Sequence, residues 1–584
     1  MHVIATAGHV DHGKSTLVRA LTGMEPDRWE IERRRGLTVG LGFGWLSLGG
    51  HEIAFVDVPG HDGFVPTMLA GVGPVPAVLF VVAADEGWMP QSEEHLAALD
   101  AFDVRHGVLV VTRADLADPE PARRQALARI ARSSLGEIPS VPVSARTGTG
   151  LDALGFELTG LATALPAADA DADLRLWVDR SFSISGAGTV ATGTLAAGTL
   201  RTGDELVQHS SGARLRVRGL QALNRSRESV AAVARVAVNL RGVRPDEIRH
   251  GDALLTPDSW LSTTLVDVGL REPAEIPAHL TVHIGSASVP ARVRPLGASA
   301  ARLRLDRALP LRVGDRLLLR DPGRHVVVAS ARALDVRPAP LNRRGAARAL
   351  GADLAQLAGQ PLHRVAEARL RERGPVRGSE LHAMGLPAPG TALAGDWYVD
   401  AGWARRLAER LTEEVDAWQR AHPLADGMPT ETVRRKLELP DNELIGPLAG
   451  AAGLMVADGV VRAGERQSLP DGVRRAVETL AEQLRKAPFA APDARRLAEL
   501  GLGSKELAAA VRAGRLHKIA DGVVVLPDAL SRARETLTGL SQPFTLSQAR
   551  KALGTTRRVA VPLLESLDRA GFTERLPDDT RRLR

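Results

Sequence analysis

The sequence predicts a multidomain chain: an α/β domain built around a phosphate loop, then two β-barrels, then a C-terminal array of winged-helix domains. Three observations predict it. Gly8-His9-Val10-Asp11-His12-Gly13-Lys14-Ser15 fits the pattern G-x-x-x-x-G-K-[ST], between an apolar run, Val3–Ala7, and a helical stretch, Thr16–Leu21. Residues 174–338 alternate apolar and polar positions between glycine bends, as barrel strands do. Residues 339–584 repeat at a spacing of roughly 60 residues, each repeat running through helical segments into a short strand pair.

Length and composition bound the possibilities. A chain of 584 residues exceeds what one core supports, so about three to five domains are expected. Hydrophobic content of 44% with 25% charged residues excludes a disordered or fibrous chain. No run reaches the ~20 apolar residues of a membrane span, and the first residues enter a strand rather than a leader, so no membrane association is expected. The absence of cysteine excludes disulfides and thiolate zinc sites and suits a reducing, cytoplasmic setting. Net charge is only +6, but from Ser531 to Arg584 there are 11 Lys and Arg against 6 Asp and Glu. A polyanion partner and a solvated charged surface both account for that excess, and composition leaves both open.

The first domain is expected over residues 1–168. Its apolar runs Val3–Ala7, Ile53–Val58, Ala77–Ala83, Gly107–Val111 and Ser140–Val143 are separated by amphipathic segments, which predicts a parallel sheet with helices on both faces. In the phosphate loop, backbone N–H groups over Asp11, His12, Gly13, Lys14, Ser15 and Thr16 would curl around a polyphosphate at a helix N-terminus. Lys14 would neutralise the terminal phosphates, and the Ser15 hydroxyl would bind Mg²⁺. Asp57, at the end of a strand, can reach the same cation through water. Gly60 offers an unobstructed N–H to a γ-phosphate, and His61 beside it can orient an attacking water. Thr38, after the basic run Arg33-Arg34-Arg35, would add a second hydroxyl to Mg²⁺ and release it after hydrolysis, as a switch. Thr112-Arg113-Ala114-Asp115 stands where guanine-nucleotide proteins carry Asn-Lys-x-Asp. The Asp115 carboxylate can accept from guanine N1–H and the exocyclic amine, and the Arg113 stem can cover the base. Ser144-Ala145-Arg146 then offers an N–H to guanine O6. The expected nucleotide is GTP.

Gly8–Ser15, Arg35–Thr38, Asp57–His61 and Met89-Pro90-Gln91-Ser92-Glu93-Glu94-His95 together resemble the translational GTPases of the elongation factor Tu group. The likeness continues through Asp179–Thr194, similar to the opening of that group's second domain, after an Ala/Asp-rich linker at 167–173. It implies barrels over 174–258 and 259–338. Within the group, the length beyond the third domain resembles the selenocysteine-specific elongation factors, whose C-terminal winged helices grip a messenger RNA hairpin. That resemblance implies an aminoacyl pocket at Asp179, Arg180 and Arg235, where two arginines and an aspartate suit a selenolate and an esterified α-amino group. A plain barrel ion pair is the competing reading.

The array divides into winged helices over 339–400, 401–470, 471–528 and 529–584. Asp458-Gly459 and Asp521-Gly522 are strong hairpin turns. In the last unit, Thr545–Leu553 is expected as a helix closed by Gly554, and Arg557 and Arg558 open the next, where they can meet RNA phosphates or merely face solvent. The expected activity is ribosome-stimulated GTP hydrolysis by a monomer that delivers selenocysteyl-tRNA to the ribosome at a UGA codon marked by an mRNA hairpin. The alternatives are a general aminoacyl- or initiator-tRNA delivery GTPase, and a GTPase with DNA-binding winged helices.

Overall fold

A computed structural model describes residues 1–26, 38, 40–61, 64–73, 75–184, 188–324, 326–463 and 469–584. The expected switch segment 32–37 and the hairpin tip 185–187 lie outside the described residues. The chain divides into two compact units, one of Met1–Arg369 with Val376–Gly390 and one of Leu370–Pro375 with Thr391–Arg584.

In the first unit the first domain comprises β1 (His2–Ala7), α1 (Lys14–Thr22), β2 (Gly42–Leu48), β3 (His51–Asp57), α2 (Val65–Val72), β4 (Ala77–Ala83), α3 (Pro90–Ala101), β5 (His106–Thr112), α4 (Glu120–Ile130), β6 (Ser140–Pro142) and α5 (Leu151–Ala164). The sheet order is β2-β3-β1-β4-β5-β6. It is not wholly parallel: β2 pairs antiparallel with β3, from Gly42↔Asp57 to Leu48↔His51. The alternation did not reveal β2, because two glycines break its apolar pattern. Both are needed for space: a Cβ at Gly44 would lie 3.0 Å from Val18 Cγ1 of α1, and one at Gly42 3.0 Å from Pro26. The wholly apolar β4, AVLFVVA, is buried along its length, as a central strand covered on both faces must be.

The second domain pairs β7 (Arg175–Ile184) with β8 (Gly188–Leu195), and β8 in turn with Ala234–Arg241. The round closes through Arg214–Ala222, Glu205–Gln208 and Ala253–Leu255 back to β7. The third domain, from Ser262–Leu270 to Val326–Asp335, is a closed six-stranded barrel. Its junction with the second is tight, since a Cβ at Gly285 would lie 2.2 Å from Trp177 Cδ1.

The segment expected as a first winged helix, 339–400, divides between the units. Helix Ala346–Leu357 packs Leu354 onto the third barrel against Leu296, Ala300 and Leu334. The barrel supplies the helix with its apolar partner.

The second unit holds the remaining array. Helices Ala401–Ala421, Thr430–Lys436 and Ile445–Ala451 lead into the hairpin Leu454–Ala457/Val460–Ala463, turned at Asp458 and Gly459, both with positive φ. Asp471–Lys486, Ala494–Glu499 and Ser504–Arg512 lead into His517–Ala520/Val523–Val525. Ala529–Thr538, Leu546–Ala552 and Arg557–Arg569 lead into Thr573–Arg575/Arg581–Leu583. The last two winged helices share one core: Phe489, Ile519, Val523 and Val525 pack with Phe544, Val559, Leu563 and Leu567.

Candidate functional site

The phosphate loop forms where β1 gives way to α1. Gly8, at φ 132, lies so close to β4 that a Cβ would stand 2.1 Å from Val81 O. Gly13, at φ 85, caps α1 in the left-handed region, where a glycine carries no Cβ penalty. Lys14 is buried, and its Nζ donates to Gly8 O at 3.0 Å and His9 O at 2.7 Å. Burial pushes its pKa down to about 8, against the opposing pull of Asp57 and Asp11.

Ser15, Thr38 and Asp57 converge beside Lys14. Ser15 Oγ donates to Asp57 Oδ2 at 2.6 Å and lies 3.0 Å from Thr38 Oγ1. Thr6 Oγ1 donates to the other Asp57 oxygen at 2.7 Å and accepts from Val58 N, which fixes the carboxylate. Two hydroxyls and a fully buried carboxylate make an all-oxygen donor set of the kind a hard divalent cation takes. Gly60 closes the other side, where a Cβ would lie 2.5 Å from Lys14 Nζ and 2.6 Å from Val10 N. His61 follows it, exposed, with its ring 5.9 Å from that of Phe64.

Two side chains of α3 hold the loop from behind. His95 Nδ1 accepts from Gly8 N at 3.1 Å, and Gln91 Oε1 accepts from Val10 N at 3.0 Å. Burial, then Lys14 and His9, keep the His95 pKa well below the ordinary imidazole range, so the ring is a neutral acceptor. Sequence reading quoted these residues within Met89–His95 but assigned them no role; their spacing of four on one helix was the available signal.

At the end of β5, Thr112 Oγ1 donates to His12 O at 2.7 Å, so this hydroxyl supports the phosphate loop. Arg113 reaches Asp85, Glu86 and the Asp11 carbonyl. Asp115 is exposed beside it. Ser144 is buried and gives its own N–H to Thr149 O, while Ala145 and Arg146 are progressively more exposed. Thr16 lies in the first turn of α1.

The three barrel residues also come together. Arg235 makes a two-pronged ion pair with Asp179, and Thr192 Oγ1 donates to Asp179 Oδ1 at 2.8 Å. Asp179 sits at a bulge between β7 and β8, which turns it towards Arg235. Phe43 of β2 lies under both arginines, 4.2 Å from Arg235 Cζ and 5.6 Å from Arg180 Cζ. Arg180 Nη2 also donates to Leu41 O at 3.2 Å. The strand that follows Thr38 is therefore in contact with the barrel's charged cluster. Sequence reasoning missed Phe43, because its partners lie more than a hundred residues away.

In the last winged helix, Arg557 is exposed. Arg558 instead donates to Ala491 O and Pro492 O, each at 2.8 Å, across the shared core. Much of the terminal positive charge is spent internally: Arg581 is buried against Asp568 at 2.9 Å, Arg575 pairs with Asp579, and Arg582 with Glu574.

Residues 1–165 match the elongation factor Tu GTP binding domain, and residues 188–255 match elongation factor Tu domain 2. Residues 263–340 match the β-barrel domain of selenocysteine-specific elongation factors, and residues 535–583 the winged helix of elongation factor SelB. The chain is 30% identical over 630 residues to the selenocysteine-specific elongation factor of Desulfomicrobium baculatum, covering 99% of this chain and 98% of that one. It is 31% identical over 616 residues to the one from Escherichia coli strain K12, with 99% and 98% covered. A crystal structure of a bacterial selenocysteine-specific elongation factor, EF-Sec, aligns with a TM-score of 0.79 at 25% identity, covering 100% of both chains.

Proposed function

The chain belongs to the selenocysteine-specific elongation factors, and from that premise we propose that it carries selenocysteyl-tRNA to the ribosome at UGA codons marked by an mRNA hairpin. It is a GTPase of translation, converting GTP to GDP and phosphate. It acts as a monomer in the cytoplasm, where translation takes place.

Backbone N–H groups over Asp11–Thr16 hold the phosphates, and Lys14 neutralises their terminal charge. Ser15, Thr38 and Asp57 would hold Mg²⁺, which would supply charge to offset that of the phosphates. Gly60 faces the γ-phosphate and His61 orients the attacking water. Asp115 reads the guanine edge, Arg113 covers the base, and Thr112 supports the loop beneath. Ser144, Ala145 and Arg146 close the pocket around O6. Phosphoryl transfer of this type is mostly positioning and electrostatics, so no covalent intermediate forms.

The observation that carries this reading is the contact of Phe43 with Arg180 and Arg235. Thr38 carries the hydroxyl beside Ser15, and Phe43, five positions on, carries the ring beside the barrel's charges. Ordering Thr38 on GTP thereby fixes Phe43 and with it the aminoacyl pocket of Asp179, Arg180 and Arg235. The arginines supply positive charge for the selenolate and Asp179 a counter-charge for the α-amino group. Hydrolysis releases Thr38, and the tRNA leaves. Arg557 contacts the phosphates of the mRNA hairpin, and Arg558 acts chiefly in holding the unit that presents it. Tethering to the hairpin raises the effective concentration of the complex at one codon.

The test is binding of the GTP-loaded protein to selenocysteyl-tRNA, to seryl-tRNA on the same tRNA body, and to a standard aminoacyl-tRNA. Strong preference for the first supports the pocket. Equal binding of all three leaves a general tRNA-delivery GTPase, and no binding of any removes tRNA delivery altogether.

A further inference from the structure

The loop after β4 gathers two carboxylates around one guanidinium. Arg113 Nη1 donates to Asp85 Oδ1 and Oδ2 at 3.1 and 2.9 Å and to Glu86 Oε1 at 2.7 Å. Its Nη2 donates to the Asp11 carbonyl in the phosphate loop. The second Glu86 oxygen stands 3.4 Å from His12 Nε2. The backbone of Arg113 is itself in the left-handed region, at φ 55, a conformation uncommon for a side chain of this size. Strained backbone and a side chain fixed at its far end by four contacts describe a guanidinium held in one place.

Electrostatics alone would not put the acids there. Two carboxylates beside a loop built for polyphosphate work against the bound charge, so their placement calls for a compensating role. They compensate through Arg113. A guanidinium is a plane with several donors, and two acceptors on one nitrogen with a third on the other fix that plane as a single acceptor could not. About a quarter to a third of each side chain remains exposed (28% for Arg113, 33% for Asp85, 36% for Glu86), so the held arginine still presents a surface.

We propose that Asp85 and Glu86 are positioning residues for nucleotide binding: they hold Arg113 as a fixed shelf against one face of the guanine, beside Asp115. The inference rests on the reading above that Thr112–Asp115 faces the base. A shelf already in place spares the protein the ordering of a long side chain when nucleotide binds. Its bond to Asp11 O ties it to the phosphate loop, so base and phosphates meet one rigid surface and the nucleotide leaves slowly.

The test uses the full chain in three assays: release of a fluorescent GDP followed by displacement, unlabelled GDP against ADP, and binding of inorganic tripolyphosphate, which has phosphates but no base. The Asp85→Ala/Glu86→Ala variant should release GDP about tenfold faster and leave tripolyphosphate affinity within about twofold. Asp85→Asn/Glu86→Gln, which keeps acceptors in place, should recover most of the loss. Arg113→Ala should match the double variant, and adding Arg113→Ala to it should cost nothing more, because the acids act through that side chain. An unchanged release rate, an equal loss of tripolyphosphate binding, or additive effects would each overturn the proposal. Equal binding of GDP and ADP by the unaltered protein would instead remove the guanine reading, and the shelf with it. Melting of the nucleotide-free variants separates unfolding from loss of the site.

Discussion

Replacing Thr112 by valine isolates one hydrogen bond under the phosphate loop. Thr112 is 3% exposed, and its hydroxyl donates to His12 O at 2.7 Å. Valine preserves the volume and the branched shape and removes only that donor. A buried carbonyl deprived of its partner costs about 1–3 kcal/mol. His12 lies within the segment whose N–H groups must converge on phosphate. In the free variant the peptide can turn to find another donor, and nucleotide binding must then turn it back. The cost therefore falls on affinity, where about 1–3 kcal/mol corresponds to roughly 5- to 150-fold in Kd. Equilibrium titration with GDP, beside thermal melting of the nucleotide-free protein, reads it directly. The ratio of GDP to ADP affinity should stay constant, since the hydroxyl is spent on the loop and not on the base. A Kd within twofold of the parent, with unchanged melting, would refute the argument. Lowered melting with unchanged Kd would place the cost in the fold rather than the site.

Acid should unfold the first unit in a defined window. Burial, foremost, holds the imidazoles of His12 and His283 at about 4, against an ordinary 6.5. The unfolded chain therefore binds protons that the folded chain refuses, so stability is full above about pH 6.5 and is lost as pH falls towards 4, by about 3 kcal/mol for each ring. Melting between pH 7.5 and 4.5 measures this, and His283→Gln should flatten the loss. Gly351→Ala should undock the helix Ala346–Leu357 from the third barrel, since its Cβ would fall 1.6 Å from Leu296 O, a backbone atom with nowhere to move. A cost of about 3 kcal/mol or more is expected, visible as new proteolysis near residue 340; an unchanged digest would contradict the packing. Arg557→Ala and Arg558→Ala should part company in hairpin binding: the first lowers affinity and reduces the salt slope by about one phosphate, while the second lowers the melting temperature of the C-terminal array.

Local patterns were legible and distant pairings were not. The phosphate loop is contiguous, so the spacing of Gly8, Gly13, Lys14 and Ser15 carries its geometry. Asp458-Gly459 and Asp521-Gly522 likewise encode their own turns. By contrast β2 hides its strand character, because Gly42 and Gly44 are chosen by the crowding of Pro26 and α1 and not by strand propensity. Helix Ala346–Leu357 shows an apolar stripe, which says that it packs but not on what. Asp85 and Glu86 belong to no local motif, since their partner Arg113 stands 28 and 27 residues further on. Arg581 counts as surface charge in a composition sum and turns out to be buried against Asp568. Gln91 and His95 were visible as a motif, but a side chain aimed at a main-chain amide leaves no trace in hydrophobic periodicity.

The shared core of the last two winged helices makes them one lever. Val559 and Leu563 of the last unit interlock with Phe489 and Val525 of the one before, and Thr555 and Arg558 grip the carbonyls of Phe489, Ala491 and Pro492. A force applied at Arg557 reaches residues 471–528 without a slack joint between. The two therefore melt and turn as one body, and a substitution in the core of either should be felt by both.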